Sequence, residues 1–171
     1  LEAHLIMRHY EGFLKKGRVP DPKKLAGNIF RGYNTPPWAS LLGIRKFVKG
    51  FFEGKSSVEG FNIPVKQNGF AAPWVLRPHP ENPKRFGFYR VARVQADGVD
   101  NHYPNALLLD YSESHRNFGL APERLLRDYL VHPFADDPDV LLGKAYLALG
   151  PLRVPVSFFI LERLAPSPWK P

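Results

Sequence analysis

Three short apolar runs that follow one another between Asn105 and Leu164 constrain the fold more than any other feature of this chain. They span residues 105–111, 140–149 and 154–163, and each is rich in Leu, Val, Phe or Tyr. Pro, Gly, Asp or Ser bounds every run. Runs of this length and composition are typical of neighbouring strands in an antiparallel sheet. The sequence therefore predicts a curved sheet that can close into a barrel around a cavity.

The rest of the chain extends the same pattern. The 18 prolines in 171 residues are about twice the usual share, which favours many turns over a helical bundle. Five further candidates bring the strands to about eight: a segment flanked by glycines at residues 27–33, alternating segments at 61–66 and 86–95, a short run at 74–77, and residues 125–131, which fit either a strand or a short helix. The pattern contains neither β–α–β alternation nor an internal repeat. We therefore predict a mainly β chain, a single antiparallel β-barrel of about eight strands, with one or two flanking N-terminal helices.

Two helices are predicted near the N-terminus. Residues 3–15 place Leu5, Ile6, His9 and Phe13 at helical spacing. A second helix from Trp38 to about Phe52 would have an apolar stripe opposite Arg45, Lys46 and Lys49. Packing on the sheet is favoured for this basic amphipathic helix, and a membrane surface is the alternative. The chain would divide into an N-terminal helical arm, residues 1–26, packed on a barrel domain of residues 27–171.

Charge and composition narrow the partners. The net charge of +8 is concentrated in residues 1–55, which hold 11 basic and 4 acidic side chains. This basic third is either a solvated face or a surface for an anionic partner or membrane, and no nucleic-acid partner is expected. The absence of cysteine excludes disulfides, thiolate metal sites and cysteine nucleophiles. The oligomeric state cannot be predicted from these features.

Neither a metal nor a cofactor is expected. The six histidines lack metal-ligand spacing, and nucleophile elbows, P-loops and dinucleotide fingerprints are absent. No run of about 18 apolar residues exists that would span a membrane as a helix. The cytoplasm is the expected location. Because the chain begins at Leu1 rather than at a methionine, an upstream targeting signal stays an open alternative.

Short passages over most of residues 27–164 resemble a family that joins a Gly-x-Trp-x-Gly segment to a C-terminal half-barrel. The matching passages are Phe30-Arg31-Gly32, Leu41-Leu42, residues 52–55, residues 105–111, and residues 141–143 through 158–163. The chain departs from the pattern where Phe30 replaces the signature Trp and the first glycine is displaced. The family is bacterial, little characterised, and grouped with lipocalin-like (calycin) β-barrels. The resemblance implies a lipocalin-like barrel with an internal pocket and no assigned reaction.

The same resemblance implies a structural latch. Lipocalin-like barrels often lay an Arg of the last strand across an aromatic ring of the first strand. Here Arg163 would lie on Phe30 within about 6 Å, the range of a cation–π contact. This contact would close one end of the barrel.

Asp110 is the one charge at the end of an apolar strand. If Ala106 and Leu108 face the cavity, alternation turns Asp110 inward as well. A carboxyl group there would have a raised pKa and would serve as a general base or a ligand anchor. The alternative is a strand-end residue that pairs with a backbone N–H or an Arg.

Three more residues are candidates for ligand contacts or chemistry. Arg127 and Tyr129 share one face of a strand, with Asp128 on the other, and would hold a polar ligand head or form a surface ion pair. His102 lies in a loop at the expected barrel mouth, where it is either functional or simply solvated.

These patterns favour binding of a small apolar or amphipathic ligand in the barrel cavity. The alternatives are an enzyme that uses Asp110 or His102 as acid or base in the same cavity, and a basic interaction module. Whether any reaction is catalysed, and which ligand is bound, the sequence does not indicate. The predicted ligand-binding residues are Phe88, Arg90, Leu108, Asp110, Arg127, Tyr129, Tyr146 and Phe158.

Overall fold

A computed structural model shows a closed barrel of eight antiparallel strands, each hydrogen-bonded to the next in chain order, with β8 closing on β1. Residues 2–167 and 169–171 are described, with side chains from residue 7 onward. The strands are β1 (Asn28–Asn34), β2 (Lys46–Glu53), β3 (Val58–Pro64), β4 (Phe86–Arg93), β5 (Leu107–Asp110), β6 (Leu126–Val131), β7 (Val140–Leu149) and β8 (Leu152–Pro166). The helices are α1 (Glu2–Lys16), α2 (Pro22–Leu25) and α3 (Trp38–Leu41), with a 3₁₀ turn at Pro122–Leu125.

The predicted fold class is confirmed. The chain is mainly β, the sheet is antiparallel and closed, and the helices are few. Of the three apolar runs of the C-terminal half, the first contains β5, the second coincides with β7 and the third lies within β8. The segment after Leu125, which the sequence left open between strand and helix, is strand β6.

The second predicted helix is wrong over most of its length. Only Trp38–Leu41 is helical, Gly43 follows with a φ of 66°, and Lys46–Glu53 forms β2. A positive φ suits glycine and ends a helix, because other residues rarely adopt it. The candidate strand at residues 74–77 is also wrong, since it makes only an isolated bridge between Val65 and Leu76.

Aromatic rings fill the barrel interior at the level of its glycines. Phe51, Tyr89 and Phe159 are fully or almost fully buried and belong to one apolar cluster. A side chain at Gly60 would collide with the ring of Tyr89, and one at Gly143 would collide with the ring of Phe159. Glycine on one strand therefore makes room for a large ring that the neighbouring strand sends into the lumen.

Helix α1 lies against the outer face of the barrel. Leu14 is fully buried there with Tyr129 and Phe158, and the ring of Tyr10 lies 5.5 Å from that of Phe158. Phe13, predicted for the apolar stripe, is 41% exposed. Of the other residues predicted at helical spacing, His9 is exposed, and Leu5 and Ile6 lie outside the described side chains. No helix in the described part of the chain is long and apolar enough to cross a membrane.

The contact predicted between the first and last strands is present. The guanidinium carbon of Arg163 lies 5.0 Å from the ring centroid of Phe30, which is fully buried. Residues 30 and 163 are register partners in the β1–β8 pairing. Leu25 of α2 joins Phe30 in the interior cluster, so this end of the barrel is filled with side chains.

Candidate functional site

The opposite half of the barrel holds a cavity of about 260 Å³. This volume is just below the usual range of about 300–1,000 Å³ for ligand pockets. Most of its wall is apolar, and the wall includes Phe47, Phe86, Leu126, Ala145, Val156 and Phe159. Trp38 and Ile44, next to the end of β1, line it as well and are themselves partly exposed. A cavity of this kind suits a small, compact, largely apolar molecule.

Four polar side chains form a connected group on the cavity wall, here called the lumen cluster: Lys49, Asn62, Tyr111 and Asp128. Lys49 Nζ lies 2.9 Å from Asp128 Oδ2. It also donates to Tyr111 Oη at 2.5 Å and to Asn62 Oδ1 at 3.0 Å. The Tyr111 hydroxyl donates to Asp128 Oδ2 at 2.9 Å. The side chains of Lys49 and Asp128 are only 3% and 4% exposed, so this is a buried ion pair inside the barrel.

Strand register brings the lumen cluster together. Lys49 on β2 pairs with Asn62 on β3, and directly opposite residues of antiparallel strands point to the same face. Asp128 on β6 is the register partner of Leu109 on β5, a residue of the interior cluster. Tyr111 follows β5 two residues after Leu109, so alternation turns its ring to the same side.

Burial shapes the electrostatics of the cluster. Desolvation lowers the pKa of Lys49, and the neighbouring Asp128 carboxylate opposes that shift. The rings of Tyr89 and Phe159 lie 4.8 Å and 5.4 Å from Lys49 Nζ, which adds cation–π attraction for the ammonium. Burial, and then the charge of Asp128, raises the pKa of Tyr111 well above its ordinary value. The Tyr111 hydroxyl therefore keeps its proton at neutral pH.

All eight predicted ligand-binding residues are absent from the cavity wall described here. Leu107 and Leu109 of β5 belong to the interior cluster, so Leu108 and Asp110 point outward. Register carries the same outward orientation to Arg127 and Tyr129 on β6 and then to Tyr146 on β7. Phe88, Arg90 and Phe158 also point outward. The predicted alternation is present, but its inner and outer faces were exchanged.

Asp110 and Arg127 form part of an ion-pair network on the outer wall. Arg127 Nη1 lies 3.2 Å from Asp110 Oδ1, and Arg127 Nε lies 3.3 Å from Asp100 Oδ2. Asp110 Oδ1 also accepts hydrogen bonds from the backbone N–H and the hydroxyl of Ser112. Arg153 binds the other side of Asp100. The alternative of a strand-end carboxylate paired with an Arg is therefore the arrangement that is present.

His102 belongs to an aromatic group under α1. Its Nδ1 lies 3.5 Å from Tyr129 Oη, and its ring lies 5.1 Å from that of Tyr146. Tyr146 Oη is 3.0 Å from Tyr103 Oη, which donates to Glu11 of α1. The structure thus brings His102, Tyr129 and Tyr146 together, outside the barrel rather than at the cavity.

The remaining predicted residues have separate surroundings. Phe158 packs on Tyr10 of α1, and Leu108 packs against the same outer cluster. Phe88 lies near Trp169 in the C-terminal segment, with ring centroids 6.2 Å apart. Arg90 is exposed and lies 3.5 Å from Glu113. These contacts hold helices and loops on the outer wall.

The four residues of the lumen cluster were not selected from the sequence. One signal was available, because Lys49 is a single charge inside the apolar segment Phe47–Phe52. The helix assignment placed this lysine on a solvated face, and so its burial was missed. Alternation correctly predicts that Asp128 faces away from Arg127 and Tyr129. It does not identify that face as the interior.

Among the described residues, no group of three His, Asp or Glu side chains is placed to hold a metal ion. No family model matches the sequence, and no curated protein or solved structure matches it either. Membership of the lipocalin-like family, which the short passages around Phe30 and Arg163 suggested, therefore stays a prediction.

Proposed function

We propose that this protein binds a small, largely apolar ligand inside the barrel. The observation that carries the proposal is the 260 Å³ cavity, whose apolar wall meets a few placed polar groups on one side. Pockets for small molecules usually combine these two features. The barrel is closed, side chains fill one end of it, and the other half keeps an open volume.

The enzyme alternative has less support. Asp110 and His102, the predicted acid–base candidates, lie outside the barrel wall and do not line the cavity. A general base must come within hydrogen-bond reach of the proton that it removes. Asp110 is instead held by an ion pair with Arg127 and a hydrogen bond from Ser112, so its role is structural.

The interaction-module alternative also loses part of its basis. Lys46 and Lys49 contribute to the positive charge of residues 1–55, and both are 2% exposed. Lys46 Nζ donates to Asn68 Oδ1 at 2.6 Å and to the carbonyl of Ala72 at 2.7 Å. These two charges hold structure together and are not available to an anionic surface.

A cavity-filling variant tests the proposal. Ala145 lines the cavity and Ala148, three residues later on β7, does not; both are 8% exposed. We expect Ala145→Leu to weaken binding of 2-phenylethanol, measured by isothermal titration calorimetry, by at least about tenfold, or about 1.4 kcal/mol. Ala148→Leu, the matched control, should bind like the wild type.

Circular dichroism would first establish that both variants fold. Equal affinity of the two variants, or no binding by the wild type, would contradict a ligand site in the lumen. Native mass spectrometry of the purified wild type adds an independent measurement, because a retained ligand would appear as a mass shift that denaturation removes.

A further inference from the structure

We infer that the cavity selects a ligand whose polar end is an uncharged hydrogen-bond donor, such as an alcohol or an amide, which donates to Asp128 Oδ1. The inference rests on the proposed function, because it names the chemical class that the same cavity would accept. It depends on the hydrogen-bond inventory of the lumen cluster, Lys49, Asn62, Tyr111 and Asp128.

One carboxylate oxygen of the lumen cluster has no hydrogen-bond donor among the described residues. Asp128 Oδ2 accepts from Lys49 and Tyr111, whereas no described residue donates to Oδ1, which is buried. The Asp128 side chain is 4% exposed and borders the cavity, but Oδ1 itself is fully buried, so a ligand donor would reach it through a small shift of the carboxyl group towards the cavity. A buried oxygen without a donor is costly, and more so when it carries charge. A ligand that supplies a donor would remove this cost.

The hydrogen-bond donors of the lumen cluster are already used within the protein. An ammonium group has three protons, and those of Lys49 go to Asp128, Tyr111 and Asn62. The single hydroxyl proton of Tyr111 goes to Asp128. The amide of Asn62 donates to the carbonyl of Gly87 at 2.9 Å and to Tyr111 at 3.3 Å. The cluster therefore has acceptor capacity to offer, and a ligand that only accepts would find no free donor among these groups.

The balance of charge in the lumen cluster also restricts the ligand. Lys49 and Asp128 neutralise one another inside the barrel. A cationic ligand would leave one uncompensated charge in a largely apolar cavity, which costs free energy. An anionic ligand would meet the unpartnered oxygen of a carboxylate. Lys46 also borders the cavity, but its Nζ is held by Asn68, Gly69 and Ala72 and adds no free donor. An uncharged donor satisfies both the charge and the hydrogen-bond requirement.

Four probes with one ring and different heads test this selection. They are 2-phenylethanol, its analogue with fluorine in place of the hydroxyl, 2-phenylethylammonium and phenylacetate. Fluorine is close to a hydroxyl in size but donates no hydrogen bond. Because a hydrogen bond to a charged group is stronger than one between neutral groups, we expect the alcohol to bind the wild type about tenfold or more tighter than its fluoro analogue. Both charged probes should bind more weakly than the alcohol.

The matched variant is the double substitution Lys49→Met with Asp128→Leu, which removes both charges and keeps an apolar wall. In this variant the alcohol and the fluoro analogue should bind with equal affinity. Equal affinities in the wild type would overturn the selection of a donor while leaving the proposed function intact. If none of the uncharged probes binds the wild type, the proposed function itself fails.

A second measurement on the wild type keeps the test decisive if the double variant does not fold. In protein labelled with isotopic aspartate, the carboxyl resonance of Asp128 should shift when 2-phenylethanol is added. The fluoro analogue should leave that resonance much closer to its position in the free protein. Identical shifts with both probes would contradict a hydrogen bond to Oδ1.

Discussion

At the scale of single residues, Lys49 and Asp128 form a buried ion pair inside the barrel. Both charges are removed from water, and the desolvation of each costs several kcal/mol before their attraction is counted. Hydrogen bonds from Tyr111 and to Asn62 offset part of that cost. A pair of this kind adds little net stability. Its position on the cavity wall is consistent with the proposed binding of a ligand.

The energetics of the pair can be measured directly. Lys49→Met leaves the Asp128 carboxylate buried without its counter-charge, and we expect the free energy of unfolding to fall by about 3–5 kcal/mol. Adding Asp128→Leu should restore most of the loss, because an apolar pair of similar volume costs little. Urea unfolding of the two variants measures both changes. The exposed Lys55→Met is the matched control, and a Lys49→Met protein as stable as this control would contradict the account.

At the scale of the strands, the β1–β8 contact joins the two ends of the sheet. Arg163 lies over the buried ring of Phe30, its Nε is 2.6 Å from Asp139 Oδ1, and its backbone N–H donates to the carbonyl of Asp139. Asp139 is 56% exposed, so its ion pair contributes less than about 1 kcal/mol. Most of the side-chain contribution at this junction is therefore expected from the ring contact.

A double-mutant cycle tests the latch. We expect the substitutions Phe30→Leu and Arg163→Gln to be coupled by about 0.5–2 kcal/mol, the value of a cation–π contact. Chemical denaturation of the wild type, both single variants and the double variant gives the coupling energy. Asp139→Asn serves as the control that removes the exposed ion pair and keeps the ring contact. A coupling energy indistinguishable from zero would show that the contact does not stabilise the closed barrel.

Strand β2 shows why one element was assigned to the wrong type. Val48 and Phe52 are buried on its outer face, and Phe47, Lys49 and Phe51 face the lumen. With apolar residues on both faces, the strand has no clear period of two and fits a helical stripe equally well. Only the pairing of β2 with β1 and β3 decides the matter.

At the scale of the whole molecule, the barrel has apolar clusters on both sides of its wall. One cluster fills the interior, a second lies beneath α1, and a third is covered by the segment after β3 and by Trp169. The outer wall of the sheet is thus largely covered rather than solvated. This cover explains why so many aromatic residues lie outside the lumen.

Buried tyrosines on both sides of the wall predict loss of stability at alkaline pH. Burial is the main cause that raises the pKa of Tyr89, Tyr103, Tyr111 and Tyr129 above the ordinary value. A phenol whose pKa is raised in the folded state contributes its full stability at a pH below about 10. This contribution is lost as the pH rises towards the folded-state pKa. We expect these four phenols to ionise only as the barrel unfolds.

Tyrosinate absorbance and far-ultraviolet circular dichroism, followed together against pH, test this expectation. The protein in denaturant is the reference, in which all seven tyrosines should titrate near about 10. If all seven tyrosines titrated near about 10 while the circular dichroism stayed native, burial would not raise the pKa of the four phenols in the folded protein.

The sequence by itself determined the positions of most strands, the antiparallel order and the partners of the latch. These features depend on local properties: short apolar runs, turn residues between them, and, for Arg163 and Phe30, a resemblance of short passages. It also determined that Asp128 faces away from Arg127 and Tyr129, because alternation is a property of the strand alone.

Only the tertiary structure decided which face of the sheet is the interior. Alternation assigns the residues of a strand to two faces but does not show which face is the interior. A solvated polar face normally identifies the outside. Here α1, the segment after β3 and the C-terminal residues cover the outer face, so both faces are apolar. Closure of the barrel then placed Lys49 and Asp128 in the lumen and left Asp110 and Tyr129 outside. The candidate site depends on this global choice of face, which no local pattern contains.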